Sequence, residues 1–178
     1  MLSPVLSTAT QFGDRALFDS ILKTTKTEKD PTIRETLIGT LRSFRNPKLT
    51  GSAMSTLTEQ GLDIRESFFL LFAPMRYRET SQLPFEFVRT HLDEILKVLP
   101  REVGGDFAAG LVEVGDASCS SREADEVAKY FTPRVKDWTG GERRLTNTLE
   151  RIRLCAAQKT AILPSYAEGI TDLARGTK

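Results

Sequence analysis

The stretch from Lys29 to Leu49, KDPTIRETLIGTLRSFRNPKL, carries one device twice: Asp30-Pro31, and sixteen residues later Asn46-Pro47. An Asp or Asn side chain accepts a hydrogen bond from a free amide in the first turn of a helix. Proline fits the next position, where a missing N–H costs nothing. Each pair therefore marks a helix start. Leu37, Ile38, Leu41 and Phe44 follow the first cap at helical spacing, and Leu49, Ala53, Met54 and Leu57 follow the second. Gly61 is placed to close the second helix.

The interval extends in both directions. Asp14 precedes Asp30 by sixteen residues, and Asp63 follows Asn46 by seventeen. Counted from each cap, apolar residues recur at offsets three, seven and eight: Leu17, Ile21, Leu22; then Ile33, Leu37, Ile38; then Leu49, Ala53, Met54. After Asp63 the pattern keeps Leu70 and Leu71, while Glu66 takes the first place. A period of about sixteen residues per helix, or about thirty-three per pair, is the mark of short antiparallel helices stacked in a row. An ordinary bundle with evenly spaced caps is the competing reading. The expected fold is all-α, a HEAT-like α-solenoid of about nine or ten short antiparallel helices in one domain spanning residues 1–178.

The rest of the chain continues this reading. Residues 66–75 are apolar all round and predict a buried helix ended by Pro74. A polar loop, Arg76 to Gln82, follows. Phe85, Val88, Leu92, Ile95 and Leu96 form one stripe, with His91 beside it as a structural or exposed histidine. Gly104-Gly105 breaks the chain before a short apolar helix from Phe107 to Val114. Ser120 and Glu123 form a capping box for a helix carrying Val127, Tyr130, Phe131 and Val135. Trp138 and Gly140-Gly141 make a turn, after which the longest helix runs from Glu142 to about Leu163. Pro164 is expected to halt it, leaving a last helix, Ser165 to Ala174, and a fraying tail. No segment shows the strict alternation of a strand.

Composition excludes several function classes. Net charge is +1, so nucleic acid is not an expected partner. The longest apolar run, Phe68 to Met75, is too short to cross a bilayer, and the first residues lack a signal-peptide pattern. Cys119 and Cys155 lie far apart with no CxxC partner. They read as two buried thiols in a reducing, cytoplasmic setting rather than as a disulfide. With one histidine there is no zinc ligand set, and HExxH, GxSxG, GxGxxG and GxxxxGK[ST] are all missing. No catalytic, cofactor-binding or metal-ligating residue is assigned.

Several ordered segments resemble a known family. Phe85-Glu86-Phe87-Val88-Arg89 is followed by Leu92-Asp93-Glu94-Ile95. An acidic helix ends in paired aromatics, Glu126 to Phe131. The long helix holds Leu149-Glu150-Arg151-Ile152-Arg153, and FGDRALFDSIL covers Phe12 to Leu22. This set is similar to the C-terminal helical domain of zinc aminopeptidases of the aminopeptidase N type, the group that includes puromycin-sensitive aminopeptidase. The chain departs from the family pattern in the loop at Arg76-Tyr77-Arg78-Glu79-Thr80 and at Leu83-Pro84.

The resemblance implies a non-catalytic C-terminal part of a longer peptidase. Its zinc and HExxH would sit in a separate catalytic domain of the same chain. Here the helical domain would form the lid and wall of a peptide chamber and limit substrate access. A basic side chain there would attract a peptide carboxylate, and Arg76, Arg78, Arg151 and Arg153 are the candidates by charge and position. The alternative is a free-standing helical-repeat scaffold that binds a protein or peptide. A stack cut at its start is also expected to self-associate around its first two helices.

Overall fold

The computed structural model describes residues 2–59, 62–100 and 107–176. Among them are nine α-helices, four 3₁₀ segments and no strand. The helices are α1 (Leu2–Gln11), α2 (Arg15–Thr27), α3 (Pro31–Leu41), α4 (Pro47–Ser55), α5 (Ile64–Ser67), α6 (Leu83–Val98), α7 (Phe107–Gly110), α8 (Ser121–Phe131) and α9 (Gly141–Gly176).

The repeated caps act as the interval predicts. Asp14 accepts from the Leu17 amide, Asp30 from Thr32 and Ile33, Asn46 from Lys48, and Asp63 from Arg65. Each cap residue is in extended backbone, so its side-chain oxygen can reach the free amides of the first turn. Phe18, Ile21, Ile38, Leu41, Phe44, Leu49 and Ala53 close one cluster, with Leu70 added from the next unit. A second cluster follows in chain order, from Met54 through Phe85, Val88, Ile95, Val127 and Phe131 to Ile152. Contacts run between near neighbours in sequence: α2 and α1 on α3, α3 on α5, α4 on α6, α8 on α9. Across the α3–α5 contact, Arg34 grips Glu66 through two hydrogen bonds of 2.7 and 2.6 Å. Ile33, at a repeat offset that predicts burial, is 49% exposed.

Four expectations are corrected. The apolar run after Asp63 is not one buried helix. It is the single turn α5 and then two 3₁₀ segments, Phe68–Leu71 and Ala73–Arg76. Five bulky residues in succession cannot all face inward, and Phe69 is left 58% exposed. In the same way the helix expected over 107–114 passes from α7 into a 3₁₀ segment, Leu111–Ala117. Pro164 does not end the long helix, which runs on to Gly176. Proline removes one amide and crowds the carbonyl four residues back. Thr160, which bears that carbonyl, is exposed, and so are its neighbours through residue 171, so water can reach the carbonyl and no packed element forces a turn there.

The fourth correction concerns the cysteines, which are joined as a Cys119–Cys155 disulfide. A sequence separation of 36 hides their proximity. α8 and α9 pack on each other, which brings the start of α8 beside the middle of α9. The capping box at that start forms as predicted, with Ser120 accepting from the Glu123 amide; Glu123 in turn accepts from the Cys119 amide. Gly140 takes a positive φ of 74°, which the turn into α9 requires of a glycine. The expected roles of Gly61 and Gly104-Gly105 fall outside the described residues.

Candidate functional site: a groove with a basic end and an aromatic floor

The irregular segment that breaks the helical period also lines a concavity on the surface. The two 3₁₀ segments and the turn after them cannot pack as a helix would. They leave a groove of about 900 Å³ against α1, α3, α7 and the 111–117 segment. Its volume is in the range of small-molecule and peptide sites. Phe68, Phe69, Phe72 and Phe107 supply an aromatic floor. Phe68 meets Phe107 edge-on at 5.1 Å and Phe72 at 5.3 Å, so the rings brace one another.

One end of the groove is basic. Arg42, at the end of α3, and Arg76, at the end of the second 3₁₀ segment, both line it. Arg42 stacks over the Phe69 ring at 5.6 Å and donates from Nη2 to the Glu66 carbonyl at 3.4 Å. Its buried Nε has no partner. Burial pushes the Arg42 guanidinium below its usual pKa; Glu35 raises it, and the nearby positive charge of Arg76 lowers it further. Neither arginine forms an ion pair among the described residues. Arg45 stacks over the ring of Tyr77, a further lining residue, at 4.5 Å, and its buried Nε is also unpartnered.

The carboxylates of the lining are paired. Glu113 pairs with Arg144, and Asp116 accepts from Arg151 at 2.7 Å. These pairs tie the 111–117 segment to α9. The groove lining therefore holds two guanidiniums outside any ion pair and two carboxylates that are each paired with an arginine, although the buried Oδ1 of Asp116 has no hydrogen-bond partner. An anionic group with an apolar neighbour is the ligand such a surface suits: the anion at the arginines, the apolar part over the phenylalanines.

The four sequence-derived arginines do not converge. Arg76 lines the groove. Arg78 is exposed in the turn beyond it and is not among the lining residues. Arg151 is occupied by Asp116 and Thr148. Arg153 is exposed on α9, away from the groove. The residue that joins Arg76 is Arg42, which the sequence reading passed over. Its signal was the alternation Leu41-Arg42-Ser43-Phe44-Arg45 at the end of α3, where arginines interleave with an aromatic. His91, beside the α6 stripe, stacks on Phe87 at 4.4 Å and sits where α6 is kinked.

The residues present do not fit a metal. No group of three or more His, Cys, Asp or Glu stands together among the described residues, and both cysteines are spent in the disulfide. Nor is any described helix long and apolar enough to cross a membrane.

The chain belongs to a recognisable class. Residues 1–154 match the family model of the ERAP1-like C-terminal domain. The match covers most of the chain, and the chain belongs to that family, a C-terminal domain of aminopeptidase-type proteins. No curated protein matches the sequence.

Proposed function

We propose that this domain is the wall of a peptide chamber in a zinc aminopeptidase, and that its groove receives the carboxylate end of a peptide. In this reading Arg42 and Arg76 hold the carboxylate while the last side chain lies over Phe69, Phe72 and Phe107. Cleavage belongs to a catalytic domain that carries the zinc. This domain would bind, orient and exclude, and so limit which peptides reach the metal. The observation that carries the reading is the pair of unneutralised guanidiniums at one end of an aromatic groove. Two such charges side by side repel unless an anion joins them.

The disulfide bears on where this happens. The cytoplasmic expectation drew on two free thiols and on the lack of a signal-peptide pattern in the first residues, and the first of these supports is gone. A Cys119–Cys155 bond suits an oxidising compartment, and we place the protein there.

The test is binding of a short peptide with a free carboxylate against its C-terminal amide, read by calorimetry or by shifts in NMR spectra. The free acid should bind about tenfold tighter or more, since a charge-assisted pair is worth at least about 1.4 kcal/mol. Arg42→Gln and Arg76→Gln should each erase most of that preference. Equal binding of acid and amide would remove the proposal and leave a helical scaffold of other use.

A further inference from the structure

One helix in this fold is longer than the body that supports it. α9 packs on α8 and on the 111–117 segment, and Leu145, Thr148 and Ile152 on that face are buried. Past Cys155 the helix leaves the body, and residues 157–171 are exposed on every side. The apolar face does not stop there. At 100° per residue, Ile162, Leu163, Tyr166 and Ile170 continue the stripe of Thr148 and Ile152 along the same side, interrupted by Lys159. Leu163, Tyr166 and Ile170 are spaced three and then four, the alternation of a coiled-coil seam. Pro164 and Glu168 lie on the opposite face, so neither the proline nor the charge enters the seam.

The four side chains are exposed by 47, 55, 66 and 66%. That leaves on the order of 500 Å² of apolar residue surface per chain, near the top of what monomers show. Two such stripes face to face would remove on the order of 1,000 Å², the area at which specific interfaces begin. A seam of this spacing is complemented by another helix of the same spacing. The second copy of this chain supplies one in equal amount.

We propose that residues 160–176 of α9 pair antiparallel with the same segment of a second copy, forming a two-fold dimer. The direction follows from sterics. In a parallel pair the two bodies would compete for one space, because each body covers the seam side of its own helix up to residue 155. An antiparallel pair sets the bodies at opposite ends. In that register Tyr166 lies level with Ile170 of the second copy, and Leu163 with Leu173. This segment lies beyond the family match, which ends at residue 154, so the pairing is an attribute of this chain and is independent of the peptide-groove reading.

Sedimentation of the full chain tests it. The unsubstituted protein should sediment at twice the chain mass at micromolar concentration. Tyr166→Glu with Ile170→Glu should halve the apparent mass and remove any concentration dependence of the thermal midpoint, while the body stays folded, since neither residue touches it. Leu163→Cys with Leu173→Cys, which stand about 15 Å apart within one helix, should give an interchain cross-link on mild oxidation. A monomer at every concentration to about 100 µM would overturn the proposal. So would a double-Glu variant that stays dimeric, which would move the contact elsewhere, for instance to exposed Val5 and Phe12 of the first helical unit. A third overturning result is a monomer that co-sediments with phosphatidylcholine–phosphatidylserine vesicles, since lipid would then cover the stripe.

Discussion

Ile152 and Ile170 stand on one face of one helix, yet the first is fully buried and the second is 66% exposed. The periodicity of α9 is the same at both places. What differs is whether anything covers it. Up to Cys155 the cover is α8, the 111–117 segment and the Val135–Asp137 turn. Beyond it there is none within the described residues. An amphipathic pattern names the face that should be covered; a neighbouring element decides whether it is.

The sharpest way to break this comparison is the same truncation at both ends of the stripe. Ile152→Ala should cost about 2–4 kcal/mol in urea unfolding, through lost burial and the cavity left behind. Ile170→Ala should cost under about 0.5 kcal/mol at a dilution where the chain is monomeric. Comparable losses would mean that the projecting half is packed in solution and that the contrast is wrong.

Reduction acts at the boundary between the halves. The Cys119–Cys155 bond ties the helix, at the point where it leaves the body, to the start of α8. Closing a loop of 36 residues restricts the unfolded chain by about 3–4 kcal/mol in the chain-entropy estimate. Dithiothreitol, or Cys119→Ser with Cys155→Ser, should lower the urea midpoint by a corresponding amount. An unmoved midpoint would show that the helix is held by packing alone.

A smaller effect marks the start of the embedded half. Gly140→Ala places a Cβ on a residue at φ 74°, so it should destabilise by about 1 kcal/mol even though the glycine has open space around it. A neutral result would mean that the turn into α9 relaxes freely.

The smallest expected change lies far from α9 and serves as its control. The hydrogen-bonded Arg34 guanidinium holds the Glu66 carboxyl below the ordinary carboxylate range. A folded pKa below the unfolded one makes the pair stabilising above the unfolded value of about 4.3. That contribution is lost as pH falls through the lowered folded value. Glu66→Gln should therefore reduce the melting temperature slightly at pH 7, and the two curves should meet well below pH ~4. A gap that persists in acid would mean that the substitution acts by packing rather than by charge.

Much of the architecture was legible because its causes are local. A cap oxygen satisfies amides two or three residues away, so Asp14, Asp30, Asn46, Asp63 and Ser120 announce their helices in the sequence itself. The groove was less legible. Arg76 was found from its loop position, but Arg42 joins it only through the packing of α3 near the 3₁₀ segments, across more than thirty residues. Arg151 looked available until Asp116 was placed beside it.

The run of helices, their starting points and the face each one offers are written in local chemistry. All of these follow from hydrogen bonds and spacings within a few residues. Packing between distant segments set which charges stay unpaired, that Cys119 meets Cys155, that Pro164 leaves its helix unbroken, and where along α9 the covering ends. Each of these depends on what lies across a contact, and distance along the chain carries no record of it.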